Sequence, residues 1–157
     1  MRLSDIQTGD VLAWKGFGVF GRIVSWITRS PWTHVGVVLR IKDDLMLVDA
    51  YIGKGVRSIN IKHYLSEPMW CVSTSKVIKS RNVEFLLEKV GLPYSVWDGI
   101  RAVLRKPFNS PGYQCSEFVN EYLIGAGVDT GIEHATPALL MEIIESRFGK
   151  AELVERT

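Results

Sequence analysis

Thr33-His34-Val35-Gly36-Val37-Val38-Leu39 is followed, after the polar Lys42-Asp43-Asp44, by Leu45-Met46-Leu47-Val48-Asp49-Ala50. Both runs are rich in β-branched and large apolar residues, and the break between them is short and polar. That is the pattern of two strands joined as a hairpin with a loop of a few residues. On the N-terminal side, Thr8-Gly9-Asp10 supplies turn chemistry before Val11-Leu12-Ala13-Trp14, a short buried strand. On the C-terminal side, Gly53-Lys54-Gly55 is a turn, Val56 to Ile61 alternates as a strand does, and Trp70-Cys71-Val72 adds one more. The count gives an antiparallel sheet of about four to six strands.

Later in the chain the apolar period lengthens to that of a helix. Val83, Leu86, Leu87 and Val90 mark a helix stopped by Gly91, with Pro93 just beyond. A second helix is expected over 96–104, with Ser95 as its N-cap and Pro107 as its boundary. In the third, Cys115, Phe118, Val119, Tyr122, Leu123 and Ala126 form one apolar stripe closed by Gly125 and Gly127. Thr136-Pro137, an N-cap followed by proline at the first helical position, opens a last helix running to about Phe148. One helix comes earlier, over 17–28, where Phe20, Ile23, Val24 and Ile27 have helical spacing and Ser30-Pro31 ends the run. Strands cluster early and helices late, so the expected class is α+β, an antiparallel sheet packed against helices.

A length of 157 residues with no internal repeat is expected to make one domain. Apolar residues at 46% and charged residues at 23% exclude a disordered chain. Lys and Arg number 19 against 17 Asp and Glu, and they are scattered, so no basic footprint for nucleic acid is present. The first ten residues, Met1 to Asp10, hold no apolar run of signal-peptide length, and no segment approaches the ~20 apolar residues that cross a bilayer. Residence in the cytoplasm is the expectation, and with it both cysteines, Cys71 and Cys115, as thiols. No Cys-x-x-Cys or His-x-x-x-His spacing suggests zinc, and no glycine-rich phosphate loop occurs. No cofactor is expected.

The chemistry-bearing stretch is Gly112-Tyr113-Gln114-Cys115-Ser116-Glu117-Phe118-Val119, which places a cysteine at the first turn of a helix behind a Ser-Pro-Gly loop. Unpaired N–H groups and the positive helix end stabilise a thiolate there, and the Cys115 N–H is placed to donate to a developing oxyanion. The bland alternative is that Cys115 merely packs within its apolar stripe. A thiolate nucleophile needs a base, and among His34, His63 and His134 the best candidate is His34. It interrupts an apolar strand, and Gly36 beside it leaves room for another element to approach. A core histidine satisfied by a carbonyl is the alternative, while His63 and His134 read as surface residues. Asp49 is the candidate to orient His34: a hairpin loop of about four to six residues would bring it diagonally near on the same face, and a two-residue turn would carry it away. The alternative is a carboxylate facing water at a strand end. Cys71, beside Trp70 in a strand, reads as packing.

These residues, taken with their order, resemble the circularly permuted branch of the NlpC-type papain-like cysteine hydrolases, the YiiX, YaeF and YebB group. The resemblance runs through Thr8-Gly9-Asp10-Val11-Leu12, Thr33-His34-Val35-Gly36-Val37, Val48-Asp49-Ala50, Gly55-Val56, Leu92-Pro93-Tyr94, Tyr113-Gln114-Cys115-Ser116-Glu117-Phe118-Val119 and Thr136-Pro137. The histidine strand precedes the cysteine helix, the inverted order of the permuted branch. The resemblance implies a papain-like fold with Cys115 as nucleophile, His34 as base and Asp49 as third polar residue, a position where relatives often carry Glu. It further implies that Tyr113, and with it Gln114, line the substrate site and that Glu117 has a structural job.

The implied activity is hydrolysis of an amide or peptide, with γ-D-glutamyl cell-wall peptides the leading substrate. Two rivals stay open. One is a lipid acyl hydrolase or acyltransferase, similar to lecithin retinol acyltransferase, using the same Cys-His pair. The apolar stretch 17–27 would then meet a membrane, although an ordinary core helix is the preferred reading. The other is a binding or structural module without turnover. The expected partner is a small peptide or acyl substrate, with no nucleic acid and membrane contact not favoured.

Overall fold

The computed structural model describes residues 1–16, 21–22, 25–26, 29–77, 82–95 and 112–155. Six strands, β1 (Val11–Lys15), β2 (Trp32–Ile41), β3 (Asp44–Tyr51), β4 (Gly55–Asn60), β5 (Trp70–Val72) and β6 (Glu152–Leu153), form one sheet in the order β4-β3-β2-β1-β5-β6. Every pairing in it is antiparallel. Three helices are described, α1 (Val83–Lys89), α2 (Cys115–Gly125) and α3 (Pro137–Phe148). The α+β class and the first five strands agree with the sequence reading to within a residue or two at most boundaries. The expected helix over 96–104 lies outside the described residues. So does much of 17–28, of which residues 21, 22, 25 and 26 are described and helical. β6 has only two residues, both exposed, and left no periodic signal to read.

The sheet is buried on both faces, which is why β1 and β2 read as nearly continuous apolar runs. On one face Val11, Ala13, Val35, Val37, Leu39, Val48 and Ala50 meet Phe118, Val119, Tyr122 and Leu123 of α2 and Leu140, Met141 and Ile144 of α3. On the other face Leu12, Trp14, Val38, Leu45 and Leu47 meet Ile6, Ile61, Tyr64 and Met69. Cys71 belongs to this second core and Cys115 to the first, and both are free thiols. Cys71 is fully buried, and that burial pushes its thiol upward, as suits a packing residue.

α2 and α3 are fixed by their starts. The Ala135 carbonyl accepts from Gln114 Nε2 at 2.6 Å and from Ser116 Oγ at 2.8 Å, immediately before α3. Thr136 caps α3 by accepting from the Leu139 N–H at 3.2 Å, with Pro137 in the first turn. The segment before α2 is braced from the other side. Tyr113 N–H donates to the Pro93 carbonyl, Ser95 N–H to the Tyr113 carbonyl, and Val56 N–H to the Leu92 carbonyl. Two glycines allow this approach: a Cβ on Gly55 would lie 2.3 Å from the Leu92 oxygen, and one on Gly112 2.6 Å from the Pro93 oxygen. The scattered pieces Gly55-Val56, Leu92-Pro93-Tyr94 and Tyr113 thus meet in one place.

Gly55 and Gly53 both have positive φ, 76° and 74°, but a Cβ on Gly53 meets nothing within 4 Å. Ala at either position carries the left-handed backbone cost of about 1–2 kcal/mol. Gly55→Ala is expected to lower the urea midpoint clearly more than Gly53→Ala, the difference being the backbone clash. Equal losses would show that the Gly55–Leu92 approach is not needed.

Candidate functional site

His34 is the third residue of β2. Its Cα partner on β1 is Trp14, and the register shifts between Trp14 and Lys15, which pairs with Trp32. A bulge of this kind re-aims the neighbouring side chain. The ring is held by aromatic contacts on two sides, with the Trp14 centroid at 5.6 Å and the Tyr51 ring edge-on at 5.8 Å. Its Nε2 lies 2.7 Å from Asp49 Oδ2.

The route to Asp49 differs from the expected one. The β2–β3 turn is two residues, Lys42-Asp43, with Lys42 at φ 54°. The reading that a two-residue turn would carry Asp49 away was in error, because shortening a turn symmetrically leaves the strand register unchanged. With Val37 opposite Val48, Asp49 falls beside Gly36 and two positions from the point opposite His34, on the same face. A Cβ on Gly36 would lie 3.1 Å from Asp49 Cβ and 2.6 Å from Leu47 Cδ1, so glycine is what lets the carboxylate close on the ring. Asp49 does not face water: it is 0% exposed.

A carboxylate so enclosed needs compensation. Burial by itself would raise its pKa, yet the hydrogen bond and charge of His34, with those of Arg57, hold it below the usual carboxylate range. Arg57 Nε donates to Asp49 Oδ1 at 2.8 Å and its terminal nitrogen to Oδ2 at 3.2 Å. The guanidinium also donates to the Tyr64 hydroxyl and stacks 3.9 Å over the Tyr51 ring.

Cys115 is the first residue of α2, 6% exposed. No side chain caps this helix end, and the first helical bond runs from Phe118 N–H to the Gln114 carbonyl, so the Cys115 N–H lies outside the ladder. The Cys115 sulfur acts on the His34 imidazole through its charge and its capacity to accept a hydrogen bond. Burial pulls the imidazole down, but Asp49 and Cys115 outweigh it and raise its pKa to about 10. Two of the sequence alternatives are therefore not exclusive, since Cys115 packs in the first core and also meets His34.

The other named residues fall around this series. Tyr113 is half-buried, edge-on to Phe118, and its hydroxyl accepts from Lys89 Nζ at 2.7 Å, which also pairs with Glu121 at 3.3 Å. Gln114, expected to meet substrate, is buried with its amide tied to the Ala135 carbonyl. Its side chain fastens α2 to the start of α3. His63 is exposed and His134 half-buried in the loop before α3. Sequence reading missed Arg57 and gave no role to Tyr94, whose hydroxyl is raised by burial and by the charges of Cys115 and Glu117. Extending the β3 register across the next turn would have found Arg57, because it stands directly opposite Asp49.

An α+β chain in which a sheet offers a buried histidine–aspartate pair to a cysteine at a helix start is the class these features define. Among solved structures it is similar to the metalloprotein YiiX from Escherichia coli O157:H7, with a TM-score of 0.64 over 94% of this chain and 87% of that one. Identity is 17%, so the likeness is one of fold, and the fold is YiiX-like. No family profile matches the sequence. No curated protein matches it either.

The raised His34 pKa has a consequence for stability. Between the ordinary imidazole value of 6.5 and about 10 the folded chain holds a proton that the unfolded chain has released. Stability from this group is full below 6.5 and is lost as pH rises through about 10. The destabilisation caused by His34→Gln should therefore be larger at pH 6 than at pH 10, as measured by urea unfolding of both proteins. A constant difference would contradict the charged imidazole.

Proposed function

We propose that the 157 residues form one papain-like, NlpC-type permuted cysteine hydrolase domain that cleaves an amide or peptide bond. The observation that carries this reading is the serial arrangement of Cys115 sulfur, His34 ring and Asp49 carboxylate, with the sulfur at an uncapped helix start. In the proposed reaction the Cys115 thiolate attacks the acyl carbon, and the Cys115 N–H donates to the oxyanion that forms. His34, as imidazolium, gives its proton to the leaving amine, and a thioester remains. The neutral imidazole then takes a proton from water, whose oxygen attacks the thioester and releases the acid with the thiolate restored. Asp49 keeps the ring oriented and balances its charge throughout.

The substrate we favour is a γ-D-glutamyl peptide fragment of cell-wall type, on the strength of the family resemblance. Tyr113, two residues before the nucleophile, would line its site. A metal has no part in this reaction scheme. YiiX is described as a metalloprotein, but among the described residues no group of three or more His, Cys, Asp or Glu side chains is placed to hold a metal ion.

A lipid-acyl reading has one observation in its favour, Trp26, which is 82% exposed. Among the described residues no helix is long and apolar enough to cross a membrane. Assays with γ-glutamyl peptides against acyl esters separate the two, and faster turnover of the esters would overturn the peptide assignment.

Cys115→Ala is expected to abolish hydrolysis, and His34→Ala to lower kcat/KM by about 10²–10⁴-fold. Iodoacetamide at pH 6 should label Cys115 and leave Cys71 untouched, with the rate falling about tenfold or more in His34→Ala. Labelling indifferent to His34 would refute the nucleophile–base pair.

A further inference from the structure

We propose that Arg57 is a positioning residue of this site, clamping Asp49 from the side opposite His34 and thereby governing how the imidazole and the sulfur share their proton. The proposal deepens the hydrolase reading and rests on it for its consequence in turnover. Its test uses thiol chemistry alone.

The strand order places β3 between β2 and β4. Asp49 on β3 thus receives His34 from one neighbour and Arg57, its direct Cα partner, from the other. The guanidinium meets both carboxylate oxygens, at 2.8 and 3.2 Å, the forked geometry that lysine cannot reproduce. Its own freedom is removed by the Tyr51 ring beneath it and the Tyr64 hydroxyl it bonds. Tyr51 also stands edge-on to His34, so the same ring braces both of Asp49's partners.

Charge gives the arrangement its consequence. The groups facing Asp49 and His34 are Cys115 from α2, Arg57 from β4, Tyr51 from β3 and Tyr64 from the turn after β4, with Tyr94 and Glu117 near the sulfur. Tyr64 is raised by burial and stays neutral in the acid range. In the reactive form of the proposed hydrolase, thiolate, imidazolium, carboxylate and guanidinium alternate in sign and sum to zero. Without the guanidinium the site carries one excess negative charge in a largely enclosed setting, where each remaining proton is held more tightly. Asp49 would also lose the fork that fixes its plane, and with it the fixed alignment of the imidazole.

The experiment is the pH dependence of Cys115 alkylation by iodoacetamide in the full chain. Wild type is expected to give an acid inflection, where the thiolate–imidazolium pair forms, and an alkaline one, where the imidazolium loses its proton. Arg57→Gln and Arg57→Met both remove the charge while keeping a stem over Tyr51, so one serves if the other does not fold. Each should move both inflections upward by about 0.5–1 pH unit. Arg57→Lys, which restores the cation, should return them most of the way, and Asp49→Asn should move them downward. Wild-type inflections in a folded Gln or Met variant would overturn the proposal, as would failure of Lys to restore them. If the hydrolase reading alone is wrong, the wild type shows the two inflections but turns over no substrate, and the Arg57 shifts remain measurable.

Discussion

A carboxylate with no exposed surface is the constraint around which this site is organised. Ionised in isolation, Asp49 would be prohibitively unfavourable inside the sheet, and protonated it could not bind an imidazolium. The chain resolves this by setting Asp49 on β3 and supplying one basic partner from each adjoining strand, His34 from β2 and Arg57 from β4. Sheet register thereby becomes electrostatics. A slip of one residue on either side would turn a partner to the opposite face and leave the carboxylate unmatched. The fold of β2, β3 and β4 and the charge state of the site are one problem with one solution.

The sulfur arrives by a separate route. Cys115 sits where α2 begins, and that start is tied to α3 through the Ala135 carbonyl and to the 92–95 segment through Pro93 and Ser95. Glycine at 55 and 112 makes the second tie, because any side chain there would strike a backbone carbonyl. The position of Cys115 is therefore set by the contacts around the helix start, and its proposed chemistry by the sheet it approaches. Cys115 remains part of the apolar core, which keeps water from much of the sulfur's surroundings.

Much of this was legible in the chain itself. Apolar and β-branched runs bounded by turn residues gave β1 to β5, and the glycines after residue 124 and the cap at Thr136-Pro137 gave the end of α2 and the start of α3. His34 stood out because an imidazole inside the apolar run Thr33 to Leu39 is costly without a partner, and Asp49 because its strand is otherwise apolar. Arg57 did not stand out, since a lone arginine in a short amphipathic strand looks like any solvent-facing charge until the register opposite Asp49 is known. The turn-length argument for Asp49 failed for a related reason: register depends on where a hairpin is centred, and turn length alone does not report that. Gln114 also carries a buried link from α2 to the start of α3, which no local pattern signals.

The fold is shared with YiiX, and the residues that give this chain its proposed chemistry are its own Cys115, His34 and Asp49. The account stands on the imidazole being charged beside the Cys115 sulfur and a buried carboxylate. Nitrogen NMR of His34 at pH 8 tests this directly, because a charged ring carries hydrogen on both nitrogens and a neutral one on a single nitrogen. Both Nδ1 and Nε2 should appear protonated in the wild type. A neutral ring at that pH, with one bare nitrogen, would contradict the account.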